Sequence, residues 1–454
     1  MYRSLNPTTN ELLEAFPVAE DADVSQTLNA AAQAFASWRK STASERAALL
    51  NRTAALLVER APDLARLMAV EMGKPLAQGE AEATKCAWVC RFYAERGPDL
   101  LAPQELLSDG SQAYARYDPL GPLLAVMPWN FPLWQVFRFA APALAAGNVV
   151  LLKHAPNTPR CALVIVDLLN AAGAPNGIFQ NLFLTNRQAA QVIEHPAVRG
   201  VSLTGSTRAG REVAAVAGRA LKPMVLELGG SDPFIVLEDA DLDAAAKAGM
   251  LSRCLNNGQS CIAAKRFLVA DAVHDAFVER LSAQMSTQEI GDPLNGAAIG
   301  PLARADLRDQ LAAQVEKSVQ LGARVAWSAT IEHCPSSGFF LAPAVLTEIN
   351  DEMPAACEEL FGPVAAVRPF RNDEEMLRLA NATPYGLGCS LWTPDLERAE
   401  TLAASLDTGN VFINGMVKSD PRLPFGGVKD SGFGRELASE GLHAFVNTKT
   451  VWIA

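Results

Sequence analysis

Several features that define other protein classes are scarce or missing in this sequence. The 454 residues include only eight cysteines, with no Cys-x-x-Cys pair, and five scattered histidines. Neither a disulfide framework nor a structural zinc site is therefore expected. No apolar run reaches the ~18 residues of a membrane span, and residues 1–22 lack the apolar core of a signal peptide. We expect a soluble, reduced, cytoplasmic protein with no metal and no membrane partner.

Basic residues are also fewer than acidic ones. Lys and Arg total 39 against 50 Asp and Glu, which gives a net charge of −11. A general nucleic-acid binder needs a basic surface, so nucleic acid is not expected as a partner. A small anionic substrate is compatible with this charge, because the field inside a site depends on a few local cations.

The sequence does contain enough apolar residues for more than one core, at 49% apolar and 20% charged, and its length suits two or three domains. Residues 24–96 are predicted to be mostly helical, with a break at Pro62. Short apolar runs then alternate with helical segments, which predicts parallel βαβ units and a doubly wound sheet. The predicted strands are 123–127, 149–152, 179–184, 200–203, 224–228 and 234–237, and the helices between them are 133–146, 158–172 and 208–220.

The second half predicts another α/β region. Its elements are helices at 240–257, 271–285, 304–322, 372–382 and 394–406, an irregular stretch at 333–344, and a strand at 409–414. Two isolated strands, 111–119 and 446–453, lie far apart in the sequence. We expect them to pair in a small sheet or to extend a sheet in a partner subunit.

Cys261 is the candidate nucleophile. It ends the segment Asn256-Asn-Gly-Gln-Ser-Cys261, a polar turn after a predicted helix, where backbone amides can stabilise a thiolate or an oxyanion. No histidine lies within ten residues of it. The candidate base is Glu227, which ends an apolar strand just before Gly229-Gly230, because apolar surroundings raise a carboxyl pKa. The other seven cysteines are expected to be packing residues.

Three further features have chemical potential. Asn130, in Met127-Pro-Trp-Asn130-Phe-Pro132, sits on a restricted backbone and offers a fixed amide donor toward an oxyanion. The segment Ser202-Leu-Thr-Gly205-Ser-Thr-Arg-Ala-Gly210 passes from a strand into a helix, where glycines let phosphates approach the helix N-terminus. Lys153, at the end of a strand, is within reach of a ribose hydroxyl or a phosphate.

Taken together, these motifs resemble those of a known family. The stretches that carry the resemblance are Pro128-Trp-Asn-Phe-Pro132, Lys153, Gly205-Ser-Thr-x-x-Gly210, Glu227-Leu-Gly-Gly230, Gly258-Gln-Ser-Cys261, Glu358-Glu359-Leu-Phe361-Gly-Pro363 and Pro424-Phe-Gly-Gly-Val-Lys-Asp-Ser-Gly-Phe-Gly-Arg-Glu436. In this order and spacing, the chain resembles a non-phosphorylating aldehyde dehydrogenase from end to end. Within that superfamily it is most similar to bacterial succinate-semialdehyde dehydrogenases that accept NAD or NADP.

The resemblance implies catalytic roles. Cys261 would attack the aldehyde, and the Asn130 amide with the Cys261 backbone N–H would form the oxyanion hole. Hydride would pass from the thiohemiacetal to the nicotinamide and leave a thioester, which water activated by Glu227 would hydrolyse. The expected function is oxidation of succinate semialdehyde to succinate.

The resemblance also implies cofactor contacts. The residues that match them are Trp129, Lys153, Pro156, Gly205, Ser206, Glu359 and Phe361. Many NAD-specific relatives carry a glutamate three residues after the lysine, where this chain has Pro156. Without that carboxylate a 2′-phosphate meets less repulsion, so NADP is expected to be tolerated and NAD to work as well.

Arg138 matches an arginine that pairs with the substrate carboxylate in succinate-semialdehyde enzymes, and a guanidinium suits a carboxylate. Trp134 and Phe425 are expected to line the substrate pocket. A second arginine found in some relatives is replaced by Leu255, and Arg253 or Arg422 are the candidates to compensate.

The expected architecture is α/β and aldehyde dehydrogenase-like. Residues 1–108 and 121–228 would form a Rossmann-type dinucleotide-binding domain, 229–435 an α/β catalytic domain, and 109–120 with 436–454 a small β oligomerisation element. A homodimer or homotetramer is implied. The alternatives left open are a dehydrogenase for uncharged aliphatic or aromatic aldehydes and a CoA-acylating aldehyde dehydrogenase. The lack of a histidine near Cys261 disfavours a cofactor-free cysteine hydrolase. The intact Cys261, Glu227 and Asn130 disfavour a non-catalytic binding protein.

Overall fold

The computed structural model describes residues 1–454. Its strands are β1 (Tyr2–Asn6), β2 (Glu11–Phe16), β3 (Gln104–Glu105), β4 (Gln112–Pro119), β5 (Pro122–Met127), β6 (Val149–His154), β7 (Phe179–Asn181), β8 (Gly200–Thr204), β9 (Met224–Glu227), β10 (Asp232–Val236), β11 (Ala264–Ala270), β12 (Arg324–Ser328), β13 (Ala344–Thr347), β14 (Val364–Phe370), β15 (Tyr385–Gly386), β16 (Gly388–Trp392), β17 (Asn410–Ile413), β18 (Val428–Lys429), β19 (Gly432–Phe433) and β20 (Val446–Ile453).

The α-helices are α1 (Asp21–Trp38), α2 (Ala43–Glu59), α3 (Ala61–Met72), α4 (Leu76–Leu100), α5 (Trp134–Ala145), α6 (Pro159–Ala171), α7 (Asn186–Glu194), α8 (Thr207–Arg219), α9 (Leu242–Cys254), α10 (His274–Ser286), α11 (Ala305–Gln320), α12 (Pro354–Cys357), α13 (Asp373–Asn381), α14 (Leu396–Ala403) and α15 (Ala438–His443).

The first large sheet has the strand order β19-β9-β8-β5-β6-β7. All of its strands are parallel except β19, which runs antiparallel to β9. The chain order reverses between β5 and β8, and in such sheets ligands bind beyond the carboxyl ends of the strands at that reversal. The segment that holds Asn130 and the turn that holds Gly205 follow these two strands directly. The predicted doubly wound sheet is therefore confirmed.

The second large sheet has the order β12-β13-β14-β11-β10-β16-β17, in which only β12 is antiparallel. Residues 228–231 are the short link from β9 of the first sheet to β10 of the second. Glu227, the last residue of β9, therefore lies where the two sheets meet. Cys261 lies just before β11 and approaches the same junction from the second sheet.

The two isolated strands predicted at 111–119 and 446–453 pair with each other, which was one of the two predicted arrangements. β20 lies antiparallel to β4 from Val446 against Pro119 to Ile453 against Gln112, and β3 flanks β4 on its other side. Only 446–453 joins this small sheet. Residues 436–445 instead pack into the largest core through the buried side chains of Leu437, Leu442 and Phe445. Gly432–Phe433 likewise joins the first sheet, although the predicted boundaries put it with the second.

Other elements escaped prediction. The β1–β2 hairpin precedes the region predicted as helical, and β11, β14 and β16 form the centre of the second sheet. The sequence of β11 does not show the apolar run of a buried strand, because it includes Lys265 and Arg266. Both side chains are buried, whereas lysine and arginine are normally exposed to solvent. Long-range contacts supply the partners that make their burial tolerable.

Most of the remaining cysteines do pack. Cys86, Cys90, Cys161, Cys254 and Cys389 are buried, but Cys334 is half-buried and Cys357 is exposed, so packing does not account for all seven. No helix combines the length and the apolar character needed to cross a bilayer.

Candidate active site

The loop before Cys261 uses backbone conformations that few residues adopt. Asn256, Asn257 and Gly258 have φ angles of 56°, 57° and 75°, in the left-handed region that asparagine tolerates better than most residues and glycine adopts freely. A Cβ on Gly258 would lie 2.2 Å from the backbone carbonyl carbon of Gly362. The sequence of this turn is therefore set by backbone geometry as much as by chemistry.

Asn130 faces this loop. Its Nδ2 donates a hydrogen bond to the Gln259 carbonyl oxygen at 3.1 Å, and Asn256 Nδ2 donates to the Asn130 carbonyl oxygen at 2.7 Å. These two bonds fix both the backbone and the side chain of Asn130, and one N–H of its amide stays available. The structure thus brings the predicted oxyanion donor beside the predicted nucleophile, and its catalytic role stays a prediction.

The Cys261 thiol is partly buried among charged side chains. Burial raises its pKa to about 12, and the positive charges of Arg138 and Lys265 oppose that rise without cancelling it. The thiol is therefore protonated at neutral pH and must lose its proton to a base before or during attack.

Lys265 is a site residue that sequence reasoning missed. Its Nζ donates to the carbonyl oxygens of Ser260 at 2.9 Å and Cys261 at 2.8 Å, and lies 3.4 Å from Glu359 Oε1. This fully buried ammonium connects the nucleophile loop to a predicted cofactor residue. The only local signal was a lysine four residues after Cys261, inside what becomes a buried strand.

Glu227 is buried at the end of β9. Its Oε1 has no hydrogen-bond partner, and a Cβ on Gly426 would lie only 2.8 Å from that oxygen. Burial raises the pKa of Glu227 well above its usual range; Arg138 opposes the rise and Glu436 reinforces it. A carboxyl group in this state accepts a proton near neutrality, as a general base must.

The turn after Glu227 touches the nucleophile loop directly. A Cβ on Gly230 would lie 2.7 Å from the Cys261 carbonyl oxygen, so glycine permits this approach. The charge of Glu227 also contributes to the raised pKa of the Cys261 thiol. The predicted base and nucleophile therefore share one pocket.

Arg138 is present in this pocket, and its contact with a substrate carboxylate stays a prediction. The guanidinium is buried, forms an ion pair with Glu436 through Nε, and places Nη2 3.8 Å from Glu227 Oε2. Nη2 also donates to Thr204 Oγ1 at 3.3 Å, and the Phe425 ring centroid is 5.0 Å from Cζ. Glu436 is the ion-pair partner of this cation and Glu227 lies next to it, so its geometry also fits control of Glu227. The sequence motif ended in Glu436 but assigned it no role.

The two arginines expected to compensate for Leu255 are also engaged elsewhere. Arg253 is fully buried and donates to the Gly258 carbonyl oxygen at 2.6 Å, so it supports the nucleophile loop. Arg422 forms two hydrogen bonds with the Asp420 carboxylate, at 2.9 and 2.7 Å, and its side chain is largely exposed. Arg422 is therefore ion-paired, whereas the Arg253 guanidinium has no carboxylate partner and its Nε and Nη1 atoms are buried without a hydrogen bond.

Three of the residues predicted to contact the cofactor, Lys153, Gly205 and Ser206, lie at the carboxyl ends of strands of the first sheet. Lys153 lies near the end of β6, where burial lowers its pKa, and its ammonium forms no hydrogen bond or ion pair within the protein. Ser206 caps α8 by accepting a hydrogen bond from the backbone N–H of Ala209, and a Cβ on Gly205 would meet only Leu203 Cδ2, at 3.7 Å. An unpartnered ammonium and an open helix N-terminus fit the phosphates and ribose of a dinucleotide.

The predicted cofactor contacts Glu359, Trp129 and Phe361 lie nearer to the candidate nucleophile, Cys261. Glu359 Oε1 accepts a hydrogen bond from the Gly230 backbone N–H at 3.1 Å, and the Trp129 and Phe361 rings meet edge-on at 5.8 Å between centroids. Pro156 is exposed in the turn after β6. These positions stay predicted contacts, and their placement on both sides of the sheet junction suits a ligand as extended as a dinucleotide.

Comparison with known proteins agrees with this geometry. A sequence profile described as "Aldehyde dehydrogenase family" matches residues 1–451. A probable succinate-semialdehyde dehydrogenase for NADP(+) from Synechocystis sp. is 47% identical over 452 residues, and succinate-semialdehyde dehydrogenase 1 for NADP(+) from Mycobacterium tuberculosis is 47% identical over 455 residues; each alignment covers 99% of both chains. The crystal structure of succinic semialdehyde dehydrogenase from Streptococcus pyogenes in complex with NADP+ superposes with a TM-score of 0.97 at 37% identity, covering 100% of both chains. The chain therefore belongs to the aldehyde dehydrogenase family.

Proposed function

We propose that this protein oxidises a short aldehyde that carries a carboxylate, succinate semialdehyde first of all, to the corresponding acid with NADP+. The observation that carries the proposal is the meeting of the partly buried Cys261 thiol and the buried Glu227 carboxyl at the sheet junction, with Asn130 beside them. The names of the relatives at 47% identity support the choice of substrate and cofactor.

In the first half of the reaction, the Cys261 sulfur bonds to the aldehyde carbon while its proton leaves to a base. The oxygen of the adduct becomes an oxyanion, which the free N–H of the Asn130 amide and the Cys261 backbone N–H are placed to stabilise. When bound, the nicotinamide supplies an acceptor for the hydride of this adduct, so that a thioester on Cys261 remains.

In the second half, Glu227 takes a proton from a water molecule, which attacks the thioester carbonyl carbon. The carbon–sulfur bond breaks, the acid leaves, and the sulfur regains its proton. The raised pKa of Glu227 suits both directions of this transfer, because a group that titrates near the working pH accepts and returns protons with little cost. A buried base of this kind favours hydrolysis over release of the acyl group to CoA.

For the cofactor, we propose NADP+ as the main oxidant, with NAD+ also accepted. Pro156 places no carboxylate in the turn after β6, so a 2′-phosphate there meets no added repulsion. The Lys153 ammonium, which has no partner within the protein, is available to a ribose hydroxyl or a phosphate.

We further propose a homodimer or homotetramer assembled through the β3-β4-β20 sheet, acting in the cytoplasm. Trp452 and Ile453 of β20 are large apolar residues that are about half exposed, and such residues at a sheet edge favour association. A free catalytic thiol is best preserved in a reducing compartment. Light scattering coupled to size-exclusion chromatography tests the assembly, since a monomeric mass would refute it.

The activity itself is tested by adding succinate semialdehyde and NADP+ to the purified protein and following the absorbance of reduced nicotinamide. We expect turnover that Cys261→Ala abolishes. A panel with butanal, benzaldehyde and CoA distinguishes the alternatives: faster oxidation of uncharged aldehydes, or a strict need for CoA, would refute the proposal.

A further inference from the structure

Glu82, near the start of α4, is a buried carboxylate that the proposed reaction does not use. Its Oε1 accepts hydrogen bonds from the backbone N–H groups of Leu133 and Trp134, at 2.9 Å each. These N–H groups lie at the start of α5, where Leu133 itself provides no side-chain cap. A carboxylate suits this position because it satisfies free N–H groups and lies at the positive end of the helix dipole. Glu82 therefore fixes the chain directly after Asn130-Phe-Pro132.

Lys74 holds this carboxylate in place. Its ammonium forms an ion pair with Glu82 Oε2, and both side chains are buried. Burial lowers the pKa of Lys74, and the charge of Glu82 opposes that change. The ammonium also lies 4.0 Å from the centroid of the Phe131 ring, one residue after Asn130. Because removal of either charge would leave the other buried without its partner, the two side chains act as one unit.

The same stretch of chain also contacts the nucleophile loop. The Gly73 carbonyl oxygen accepts a hydrogen bond from Asn257 Nδ2 at 2.7 Å. Gln78 Oε1 accepts a hydrogen bond from the Asn256 backbone N–H at 2.6 Å. Residues 73–82 therefore contact both of the segments that are predicted to form the oxyanion hole.

Glu71, on α3, makes the same kind of contact elsewhere. It is buried, and its two carboxylate oxygens accept hydrogen bonds from the backbone N–H groups of Arg160 and Cys161, at 3.0 and 2.9 Å. Glu71 thus caps α6 as Glu82 caps α5. Of these two capping glutamates, Glu82 is the one that adjoins the segment of Asn130.

We propose that Glu82, paired with Lys74, is a positioning residue that holds the Asn130 amide in place to stabilise the oxyanion of the thiohemiacetal. This inference rests on the proposed function, because the adduct must form on Cys261. It does not depend on which aldehyde is oxidised, since charged and uncharged aldehydes give the same oxyanion. Without Glu82 the start of α5 is released, and a displacement of about 1 Å at a catalytic group is enough to lower a rate about a hundredfold.

A double-mutant cycle tests whether Glu82 acts through Asn130. With enzyme in excess over aldehyde and NADP+ saturating, the single-turnover rate of NADPH formation is measured for the wild type, Glu82→Ala, Asn130→Ala and the double variant. Asn130→Ala should lower this rate about a hundredfold to a thousandfold, because it removes an oxyanion donor. Glu82→Ala alone should lower it about tenfold to a hundredfold, but less than about threefold in the Asn130→Ala background, where no amide is left to misplace. Succinate semialdehyde and butanal should give the same pattern.

Glu71→Ala is the matched control, because it removes an equivalent helix cap away from the predicted oxyanion hole. It should change the rate by the same factor with and without the Asn130 amide. Glu82→Gln should recover part of the rate, since its amide oxygen still accepts hydrogen bonds from the start of α5. Equal losses from Glu82→Ala in the two backgrounds, or the same non-additivity for Glu71→Ala, would overturn the proposal.

Removing both charges separates stability from positioning. Glu82→Ala leaves the Lys74 ammonium buried without a partner, so this variant should melt at a lower temperature than the wild type. Lys74→Met/Glu82→Leu removes both charges and should recover much of the melting temperature but not the rate; it also takes the place of Glu82→Ala in the cycle if that variant does not fold. A rate that recovers together with the melting temperature would overturn the positioning role.

The same measurements distinguish this proposal from the proposed function. A wild-type rate in every Glu82 variant would overturn the positioning role and leave aldehyde oxidation intact. A wild type that forms no NADPH with either aldehyde would instead refute the proposed function itself.

Discussion

Replacing Arg138 by methionine separates two roles that this residue could have. If Arg138 binds the substrate carboxylate, the change should raise KM for succinate semialdehyde far more than KM for butanal. If Arg138 acts on Glu227, as the 3.8 Å separation of Nη2 and Oε2 indicates, the change should affect both aldehydes alike. The structure favours the second outcome, because the guanidinium is ion-paired with Glu436 and lies next to Glu227.

The size of the effect follows from that separation. Unit charges about 4 Å apart interact by about 4 kcal/mol at an effective dielectric constant of about 20, which equals at most about three pKa units. Arg138 lowers the pKa of Glu227, so its removal should raise that pKa further. Because the base must be deprotonated to hydrolyse the thioester, the acidic limb of the kcat profile should move to higher pH by one to about three units.

The assay measures kcat and KM separately from about pH 5.5 to 10 with both aldehydes, which brackets the region where such groups titrate. Arg138→Met also leaves Glu436 buried without its partner, which costs about 3–5 kcal/mol of stability. The double variant Arg138→Met/Glu436→Gln removes both charges and should recover part of that stability, as a thermal melt would show. An unmoved acidic limb, with a KM increase confined to succinate semialdehyde, would refute the reasoning and return Arg138 to the substrate.

Three further outcomes follow from the site. Glu227→Gln should release at most about one equivalent of NADPH per subunit in a burst and then stop, because the thioester is no longer hydrolysed; steady turnover at the wild-type rate would contradict its role as base. Gly258→Ala should lower the free energy of unfolding by about 3 kcal/mol or more, because the added Cβ would lie 2.2 Å from the Gly362 backbone. Gly296→Ala is the control: its φ is similarly positive, but nothing lies within 4 Å of the added Cβ, so it should cost only about 1 kcal/mol. Equal shifts in melting temperature for the two variants would contradict the steric argument. Pro156→Glu should lower the ratio of kcat/KM for NADP+ over NAD+ about tenfold through repulsion of the 2′-phosphate, and an unchanged ratio would place that phosphate elsewhere.

The sequence predicted the first sheet well, because its strands are short apolar runs bounded by helices with clear periodicity. Each predicted strand from 123 to 237 corresponds to an observed one, and the helices agree to within a few residues. The centre of the second sheet was harder. In β11 two buried cations interrupt the apolar pattern, and the carbonyl oxygens that satisfy Arg266 come from Ser231, Leu379 and Ala380. Such partners are invisible in a local window of sequence.

The candidate site shows the same division. Asn256, Asn257, Gly258 and Gly230 suit backbone geometry that a short motif expresses, so the sequence alone was enough to predict the turn before Cys261 and the candidate base Glu227. The role of a charged side chain depends on which opposite charges reach it. The ion pair of Arg138 with Glu436 is an example, because the two residues lie far apart in the sequence.

By itself, then, the sequence determined the chemistry: a thiol, a carboxyl group and an amide in an order and context typical of aldehyde oxidation. Only the tertiary structure decided how charge is distributed around them, because neutralisation depends on contacts between segments far apart in the chain. Arg138 and Glu436 lie far apart in the sequence and yet form a buried ion pair, and folding also brings Arg138 Nη2 to 3.8 Å from Glu227 Oε2.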